Sequence, residues 1–507
     1  MIYSFSPFGY EGSLVVVEVD LRRGIPAVDI VGLADACVKD TRERVRNAIQ
    51  NSSLEFPSER ALISLSPADL KKNIPFDLPI AIGLLRSQYG LELEDDVFVM
   101  GELEISGTVR NVNGVYAGLA TAASSNIHYA IVPQSDNLRV PCGMKVKTVS
   151  NLTEAYFALC DLAQKHYETF VSYPTEDIGT DIEFEDLSED ETSLDDVYID
   201  KGDKGRDYLE TLKYAMAVAV AGRHGILAIG SYDSGKTLVL QKMPQLMPKL
   251  LKNELPSVER IYSLSGLLKK DRCRSFRMPH HTAGIEGICG GGPNLRPGEI
   301  SLAHNGVLFL DEASEFRTSV LQILRVPLEI KQITLSRAGR STIFPANFQL
   351  AMAANPCPCG NYGTPDKICL CSAKAIELYW KKFSAPLLDR VAIQFWVNKE
   401  HNFVPPHTSL SDLREMIKRA WEIQIKRGVF NEYMSDTEVN MYIQKATSKT
   451  AMEILNNNSH KYEFSPRVLK NVLKLARTLA DMNGLELIED ETMKLAIQLH
   501  GHNPLVI

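Results

Sequence analysis

The chain of 507 residues lacks any long apolar run, although 45% of its residues are hydrophobic. No stretch approaches the roughly 18 uninterrupted apolar residues that a membrane-spanning helix needs, so the sequence predicts no membrane segment. The start, MIYSFSPFGYEG, lacks a basic stretch followed by an apolar one. We therefore expect no secretory signal and a cytoplasmic location. An internal repeat of fixed period is also missing, which argues against a solenoid or a propeller.

Cysteine is scarce, with nine residues and no spacing typical of a secreted disulfide scaffold. This odd number favours reduced thiols in the cytosol. Four of the nine nevertheless fall within one short stretch, CPCGNYGTPDKICLC, as Cys357, Cys359, Cys369 and Cys371. Two CxC pairs can supply four thiolates to one tetrahedral ion, so the stretch predicts a structural Zn²⁺ site. Buried unligated cysteines and a disulfide pair are the alternatives.

Residues 176–200 contain no lysine or arginine but hold twelve aspartates and glutamates. Removing these twelve charges from the net charge of −8 leaves the rest of the chain at +4. The acidic average therefore does not exclude a surface that binds a polyanion. Since the stretch is poor in apolar residues, we expect a solvated linker. An autoinhibitory segment that mimics DNA and occupies a basic pore is the alternative.

The acidic stretch separates two folded parts. Before it, strand-like and helix-like patterns predict an α+β domain of about 160 residues. The expected elements are strands at 13–21, 59–67 and 129–133, helices at 35–52 and 77–87, and a hairpin at 101–115 with an Asn-Gly turn. We expect four regions: an N-terminal domain at 1–168, the acidic linker at 169–205, a nucleotide-binding domain at 206–400 and a helical lid at 401–507.

The second part alternates buried strands with helices. The expected strands are at 224–230, 306–312 and 346–356. This alternation around a phosphate-binding loop predicts an α/β fold with a parallel, doubly wound sheet. Residues from about 405 onward show mostly helical patterns.

The stretch GSYDSGKT has the spacing of a phosphate-binding loop. It comprises Gly230, Ser231, Tyr232, Asp233, Ser234, Gly235, Lys236 and Thr237. Such a loop follows a strand and opens a helix, and its backbone N–H groups face the phosphates. Lys236 is expected to reach the β- and γ-phosphates of ATP, and Thr237 to ligate Mg²⁺. Asp233 is unusual there, because an acid aimed at the phosphates would weaken binding.

A second signature, GVLFLDE, ends in Asp311 and Glu312. At the carboxyl end of a parallel strand, Asp311 is predicted to hold Mg²⁺ and Glu312 to act as general base toward water. Asn355 follows the next strand and suits a sensor of the γ-phosphate. Arg390, in APLLDR, suits a finger that reaches a neighbouring subunit's nucleotide.

The order of these motifs resembles the AAA+ ATPases. The stretches FRMPHHTAG (276–284), GGGPNLRPGEISLAHNGVLFLDEASEF (290–316), ANPCPCGNYG (354–363) and SAPLLDR (384–390) resemble the magnesium-chelatase-like family of the ComM and YifB type. The resemblance implies an ATPase that forms a hexameric ring and acts on single-stranded or branched DNA, as in branch migration during recombination or natural transformation. It also makes Arg467 the sensor-2 arginine of the lid.

The same resemblance makes the N-terminal domain similar to the Lon-protease fold. Phe76 and Tyr116 stand near the positions of the serine and lysine of that protease, and neither can serve as nucleophile or base there. We therefore expect no proteolysis.

Two pairs of residues and the function of the chain are each open to more than one interpretation. Arg337 and Arg340 in the hairpin ITLSRAGRSTIF suit contacts with a DNA backbone, or they are merely solvated charges. A structural role is favoured for His280 and His281.

The alternatives to a motor that acts on DNA are two: a slowly hydrolysing regulatory ATP-binding protein and a chelatase-type motor subunit.

Overall fold

The computed structural model contains two main β-sheets and a C-terminal group of helices. It describes residues 1–32, 35–67, 76–135, 138–172, 181–188, 191–198, 202–269, 271–337, 340–364, 367–397, 405 and 407–501. The expected tip of the basic hairpin and parts of the acidic stretch lie outside these residues.

The N-terminal part is built on one mixed sheet of eight strands. Its elements are β1 (Ile2–Ser6), β2 (Ser13–Arg22), β3 (Ala27–Val31), α1 (Asp35–Asn51), β4 (Arg60–Ser66), α2 (Asp77–Gln88), β5 (Val97–Val99), β6 (Glu102–Leu103), β7 (Val109–Arg110), α3 (Val115–Ser124), β8 (Tyr129–Pro133), β9 (Lys145–Val149), α4 (Leu152–Ala163) and β10 (Val171–Ser172). The strand order is β10-β9-β8-β5-β1-β2-β4-β3. The predicted strands and helices of this part are confirmed.

The predicted hairpin at 101–115 forms, but its turn lies elsewhere. Strands β6 and β7 pair antiparallel, and the turn closes where the Gly107 N–H donates to the Glu104 carbonyl at 2.9 Å. Gly107 has φ +91°, which glycine adopts without strain. Gly114 also has φ +91°, but it caps the start of α3. The expectation of an Asn-Gly turn was therefore wrong, because both glycines meet the requirement and strand register selects the first.

The second part carries a parallel sheet of five strands. Its elements are α5 (Gly202–Gly222), β11 (Ile226–Ile229), α6 (Lys236–Gln241), α7 (Met243–Leu246), α8 (Leu255–Ser265), β12 (Phe276–Arg277), α9 (Ile285–Cys289), β13 (Gly290–Gly291), β14 (Arg296–Pro297), α10 (Glu299–Leu302), β15 (Val307–Leu310), α11 (Thr318–Ile323), α12 (Arg325–Ile330), β16 (Gln332–Arg337), β17 (Arg340–Pro345), β18 (Gln349–Ala354), α13 (Ala373–Lys381), α14 (Ala385–Leu388) and β19 (Ile393–Trp396). The order is β12-β15-β18-β11-β19, and every neighbouring pair is parallel. The predicted α/β fold is confirmed, and its strand ends meet at one edge.

The C-terminal part is helical, as predicted. Its helices are α15 (Leu410–Arg427), α16 (Asp436–Tyr442), α17 (Lys449–Tyr462), α18 (Pro466–Met482) and α19 (Asp490–His500). Capping boxes at Ser409 and Ser435 begin α15 and α16. The Trp421 indole donates to the Val220 carbonyl at 3.2 Å, so α15 packs directly on α5. Among the helices described, none is long and apolar enough to cross a lipid bilayer.

Described residues of the acidic stretch lie against the second part. Leu194 is fully buried, and its N–H donates to the Gln245 side chain at 2.8 Å. Ile182 is also buried, and the Lys249 N–H donates to the Glu183 carbonyl at 2.8 Å. The expectation of an entirely solvated spacer was wrong for these residues, because the few apolar side chains between the acids find a core. The bounds of the four predicted regions stay predictions.

Candidate nucleotide-binding site

The phosphate-binding loop, residues 230–237, connects the buried strand β11 to helix α6. Both of its outer glycines are required by the local geometry. A Cβ added to Gly230 would lie 2.6 Å from the Ser234 hydroxyl oxygen. Gly235 has φ +74° where the loop turns into α6, a conformation that L side chains rarely adopt. The sequence motif therefore folds as the strand–loop–helix unit that it predicted.

Lys236 lies folded over its own loop. Its ammonium group donates to the Ser231 carbonyl at 3.0 Å and to the Asn355 side-chain oxygen at 3.1 Å. Burial lowers the pKa of Lys236 to about 8, and the carboxylates of Asp311 and Glu312 only partly oppose this effect. A phosphate group beside this ammonium would supply the missing negative charge.

Thr237 and Asp311 meet in the same site as Lys236. The Thr237 hydroxyl donates to the Asp311 carboxylate at 2.9 Å, and the Glu312 N–H donates to the same carboxylate oxygen at 2.9 Å. A hydroxyl and a carboxylate are oxygen ligands of the kind that Mg²⁺ prefers. These two residues thus fit a magnesium ion between the loop and the end of β15.

Glu312 follows Asp311 and has a half-exposed side chain. The His281 ring nitrogen lies 4.0 Å from a Glu312 carboxylate oxygen. The sequence singled out the His280–His281 pair without giving it a partner in the site. The parallel pairing of β12 with β15 brings the residues after the two strands together.

Asn355 stands at the end of β18, the strand between β11 and β15. Besides its contact with Lys236, its backbone carbonyl accepts a hydrogen bond from the Tyr379 hydroxyl at 2.9 Å. The adjacent indole of Trp380 donates to the Pro356 carbonyl at 3.0 Å. Helix α13 thereby holds the strand end in place, a positioning role that the sequence alone did not reveal.

Arg390 and Arg467 form a second cluster. Both guanidinium groups pair with Glu329 on α12, Arg467 at 2.8 Å. The two arginines line one cavity, and residues 230–237 are not among its described walls. The other described walls are Arg223, Gly225, Leu328, Lys331, Phe348, Gln349, Leu350, Asp389, Glu432, Tyr433, Met434, Asp436, Lys470, Asn471 and Lys474. The structure therefore brings the predicted residues Thr237, Asp311, Glu312 and Asn355 together with Lys236. It gathers the two arginines elsewhere.

Tyr232 and Asp233 turn toward a different neighbour. The Asp233 carboxylate pairs with the Lys367 ammonium at 3.3 Å, and both side chains are well exposed. The Tyr232 ring lies so close to Gly360 that an added Cβ there would come within 2.6 Å of it. Because its charge is paired at the rim, the acid within the loop is compatible with a phosphate site.

The four cysteines converge. The Cys357 sulfur lies 3.4 Å from that of Cys359 and 3.6 Å from that of Cys369, and all four sulfurs lie within 4.8 Å of one another. Tetrahedral zinc with Zn–S bonds of about 2.3 Å places its sulfurs about 3.8 Å apart. The arrangement of Cys357, Cys359, Cys369 and Cys371 thus fits one zinc ion.

The basic hairpin β16–β17 rests on the N-terminal part. The Tyr10 N–H donates to the Thr342 hydroxyl at 2.9 Å, and the Arg340 guanidinium lies 5.5 Å from the Phe8 ring centre. Arg337 pairs in register with Arg340 at the end of the described hairpin. Arg340 therefore has a partner in the N-terminal part, Phe8, which the sequence did not predict.

Comparison with known proteins covers nearly the whole chain. Family models described as "Magnesium chelatase, subunit ChlI", "Subunit ChlI of Mg-chelatase" and "Magnesium chelatase, subunit ChlI C-terminal" match residues 208–403, 17–136 and 407–500. The chain is 34% identical to the competence protein ComM of Haemophilus influenzae, over 96% of this chain and 94% of that protein.

Two further relatives extend this comparison. The uncharacterized protein YifB of Escherichia coli is 31% identical over 100% of this chain and 98% of its own length. The DNA repair protein RadA of Mycobacterium tuberculosis is 34% identical over 104 residues, 20% of this chain and 21% of that protein.

Proposed function

This chain belongs to the magnesium-chelatase-like AAA+ family of the ComM and YifB type, and from that premise we propose that it is an ATP-hydrolysing, ring-forming motor that acts on DNA. The observation that carries the proposal is the convergence of Lys236, Thr237, Asp311 and Asn355 at the carboxyl edge of the parallel sheet. These residues come from three adjacent strands, and open α/β sheets bind their ligands at that edge.

Hydrolysis in this proposal divides among five side chains. Lys236 binds the β- and γ-phosphates of ATP, and Thr237 and Asp311 hold the magnesium ion. Magnesium, when bound, neutralises the charge that develops on the phosphate oxygens. Glu312 orients the attacking water and takes its proton, because its exposed carboxylate stands beside Asp311. Asn355 keeps Lys236 aligned and contacts the γ-phosphate.

The two arginines support a ring. Arg390 and Arg467 share Glu329 as partner, and the described walls of the cavity that they line do not include the phosphate-binding loop. We therefore assign both to the nucleotide of a neighbouring subunit, where a permanently charged guanidinium stabilises the transferring phosphoryl group. A site completed by the next subunit requires a closed homo-oligomer, and the family resemblance favours a hexamer.

DNA is the proposed substrate of the motor. The names of two relatives, a competence protein and a DNA repair protein, support this assignment. So do the net charge of +4 outside the acidic stretch and the exposed position of Arg337 at the end of the described hairpin. Contacts of this kind bind phosphate backbones without sequence preference and weaken with salt. Branch migration or unwinding of single-stranded or forked DNA, in recombination or natural transformation, is the activity that we propose.

A structural zinc ion is the second cofactor in this proposal. The convergence of four thiols supports it. Metal analysis of the purified protein checks it, with about one zinc per chain expected. A zinc-free protein with reduced thiols would refute it.

The motor is tested by measuring ATP hydrolysis with and without single-stranded and forked DNA. We expect forked DNA to stimulate turnover, and Lys236→Ala and Glu312→Gln to abolish it. ATP binding without turnover would indicate a slow regulatory protein instead. Turnover that ignores DNA would favour a chelatase-type motor.

A further inference from the structure

The tetracysteine loop, comprising the described residues 357–364 and 367–371, lies directly against the phosphate-binding loop. It begins two residues after Asn355, whose side chain accepts the hydrogen bond from Lys236. It then contacts the phosphate-binding loop through Gly360 against Tyr232 and through Lys367 against Asp233. The two unusual residues of GSYDSGKT are therefore the ones that contact the cysteine-bearing segment.

The contact at Gly360 depends on the absence of a side chain. Gly360 has φ +76°, and an added Cβ would lie 2.6 Å from one carbon of the Tyr232 ring and 2.7 Å from the next. One side of the ring thus lies close against backbone that must keep this shape. Any shift of the tetracysteine loop at this point moves Tyr232, three residues before Gly235.

The ion pair between Lys367 and Asp233 balances the negative charge of Asp233 within the phosphate-binding loop. An exposed pair of this kind contributes little to folding. Its position matters more, because the Lys367 ammonium neutralises the only carboxylate inside residues 230–237. Displacing Lys367 would remove one positive charge from beside that carboxylate, within the loop where anionic phosphates bind.

The shape of the tetracysteine loop rests on its thiols. Its described residues form no helix or strand between the end of β18 and the start of α13. Ile368 and Leu370 are 82% and 89% exposed, whereas the cysteine sulfurs beside them gather in one cluster. Cys357 and Tyr362 pack against the hydrophobic core. A segment that gathers its thiols in one cluster but leaves Ile368 and Leu370 exposed is nevertheless organised in large part by what the thiols bind.

We propose that the tetracysteine loop, with zinc bound, is a docking platform that determines the conformation of the phosphate-binding loop, so that zinc occupancy and ATP affinity are coupled. Tyr232, Asp233, Gly360 and Lys367 are positioning residues in this arrangement. Zinc joins the Cys357–Cys359 end to the Cys369–Cys371 end, and thereby places Gly360 and Lys367 against the nucleotide site. This inference rests on the proposed ATP site and the proposed zinc site.

The coupling is measured on the full-length protein as a ratio of two dissociation constants. Binding of a fluorescent ATP analogue is titrated with zinc-loaded protein and with protein stripped by a chelator, and zinc content is determined in both. We expect affinity to fall at least about fivefold on stripping. By linkage, saturating ATP must raise the equilibrium affinity of the protein for zinc by the same factor, and this affinity can be measured without any hydrolysis.

Two variants that keep all four cysteines separate coupling from local unfolding. Lys367→Ala and Tyr232→Ala should retain zinc while the ratio falls toward one. Lys381→Ala is the matched control, since Lys381 forms a comparable exposed ion pair with Glu377 at 2.7 Å on α13. It should leave the ratio unchanged.

Two results would overturn the inference. Equal ATP affinity with and without zinc would refute the coupling while leaving the ATP site intact. An unchanged ratio in both the Lys367→Ala and Tyr232→Ala variants would refute the assigned contacts. Failure of zinc-loaded protein to bind the analogue at all would instead refute the proposed function, and the inference with it.

Discussion

Binding of ATP should draw a proton from solution at mildly alkaline pH, and Lys236 is the group that takes it. In the free protein, burial lowers the pKa of Lys236 to about 8, although Asp311, Glu312 and Asp233 partly oppose this shift. Phosphate groups placed beside the ammonium favour its charged form and raise the pKa again. A lysine that is partly neutral before binding must therefore be protonated on binding.

The size of the effect follows from the depressed pKa. With a pKa of about 8, roughly a tenth of Lys236 is neutral at pH 7, about half at pH 8 and about nine tenths at pH 9. If the bound lysine returns to its ordinary pKa, proton uptake per site equals these fractions. Uptake should therefore rise steeply between pH 7 and 9.

Calorimetric titration of ATP in buffers of different ionisation enthalpy measures this uptake directly. The slope of binding enthalpy against buffer enthalpy should be small at pH 7 and near one at pH 9. Lys236→Arg is the matched control, because arginine stays charged throughout this range, and its slope should remain near zero. A wild-type slope that does not change between pH 7 and 9 would refute the buried, partly neutral lysine.

Three further outcomes follow from the same geometry. Glu312→Gln should lower kcat for ATP hydrolysis by about 10²- to 10⁴-fold while analogue binding persists; lost binding would contradict its role as general base. Lys236→Ala and Arg390→Ala subunits, each inactive alone, should regain hydrolysis when mixed, and a mixture that stays inactive would contradict a finger acting in trans. Burial raises the pKa of Glu254, but the guanidinium groups of Arg223 and Arg274, at 2.5 and 2.6 Å, outweigh this and hold it at about 2. Since this value lies below the ordinary 4.5, about 3 kcal/mol of stability is present above pH 4.5 and is lost toward pH 2. The free energies of unfolding of the wild type and of Glu254→Gln, measured with denaturant across this range, should therefore converge at low pH.

Much of the nucleotide site could be predicted because its residues follow strands. The run of apolar residues before Gly230, Asp311 and Asn355 marks three buried strands, and parallel strands end at one edge. Proximity of these residues was therefore expected before any geometry was known. The hairpin turn could not be placed in the same way, because Gly107 and Gly114 both permit positive φ.

Lys367 and Glu329, to which the sequence assigned no role, contact site residues that lie far away in the sequence. Nothing in GSYDSGKT indicates that Asp233 pairs with a lysine 134 residues later. The shared partner of Arg390 and Arg467, Glu329, belongs to a helix without a recognisable motif. Pairings of this kind depend on where loops lie in space, and local spacing carries no information about that.

By itself the sequence determined the kinds of elements, the phosphate-binding loop with its partner carboxylates, and the presence of four clustered thiols. Local periodicity and glycine placement suffice for these, since each is decided within a few residues. Only the tertiary structure decided that the acidic stretch buries Leu194, that the two arginines lie apart from Lys236, and that Tyr232 and Asp233 face the tetracysteine loop. These outcomes result from packing between remote parts of the chain, where burial and charge pairing are settled together.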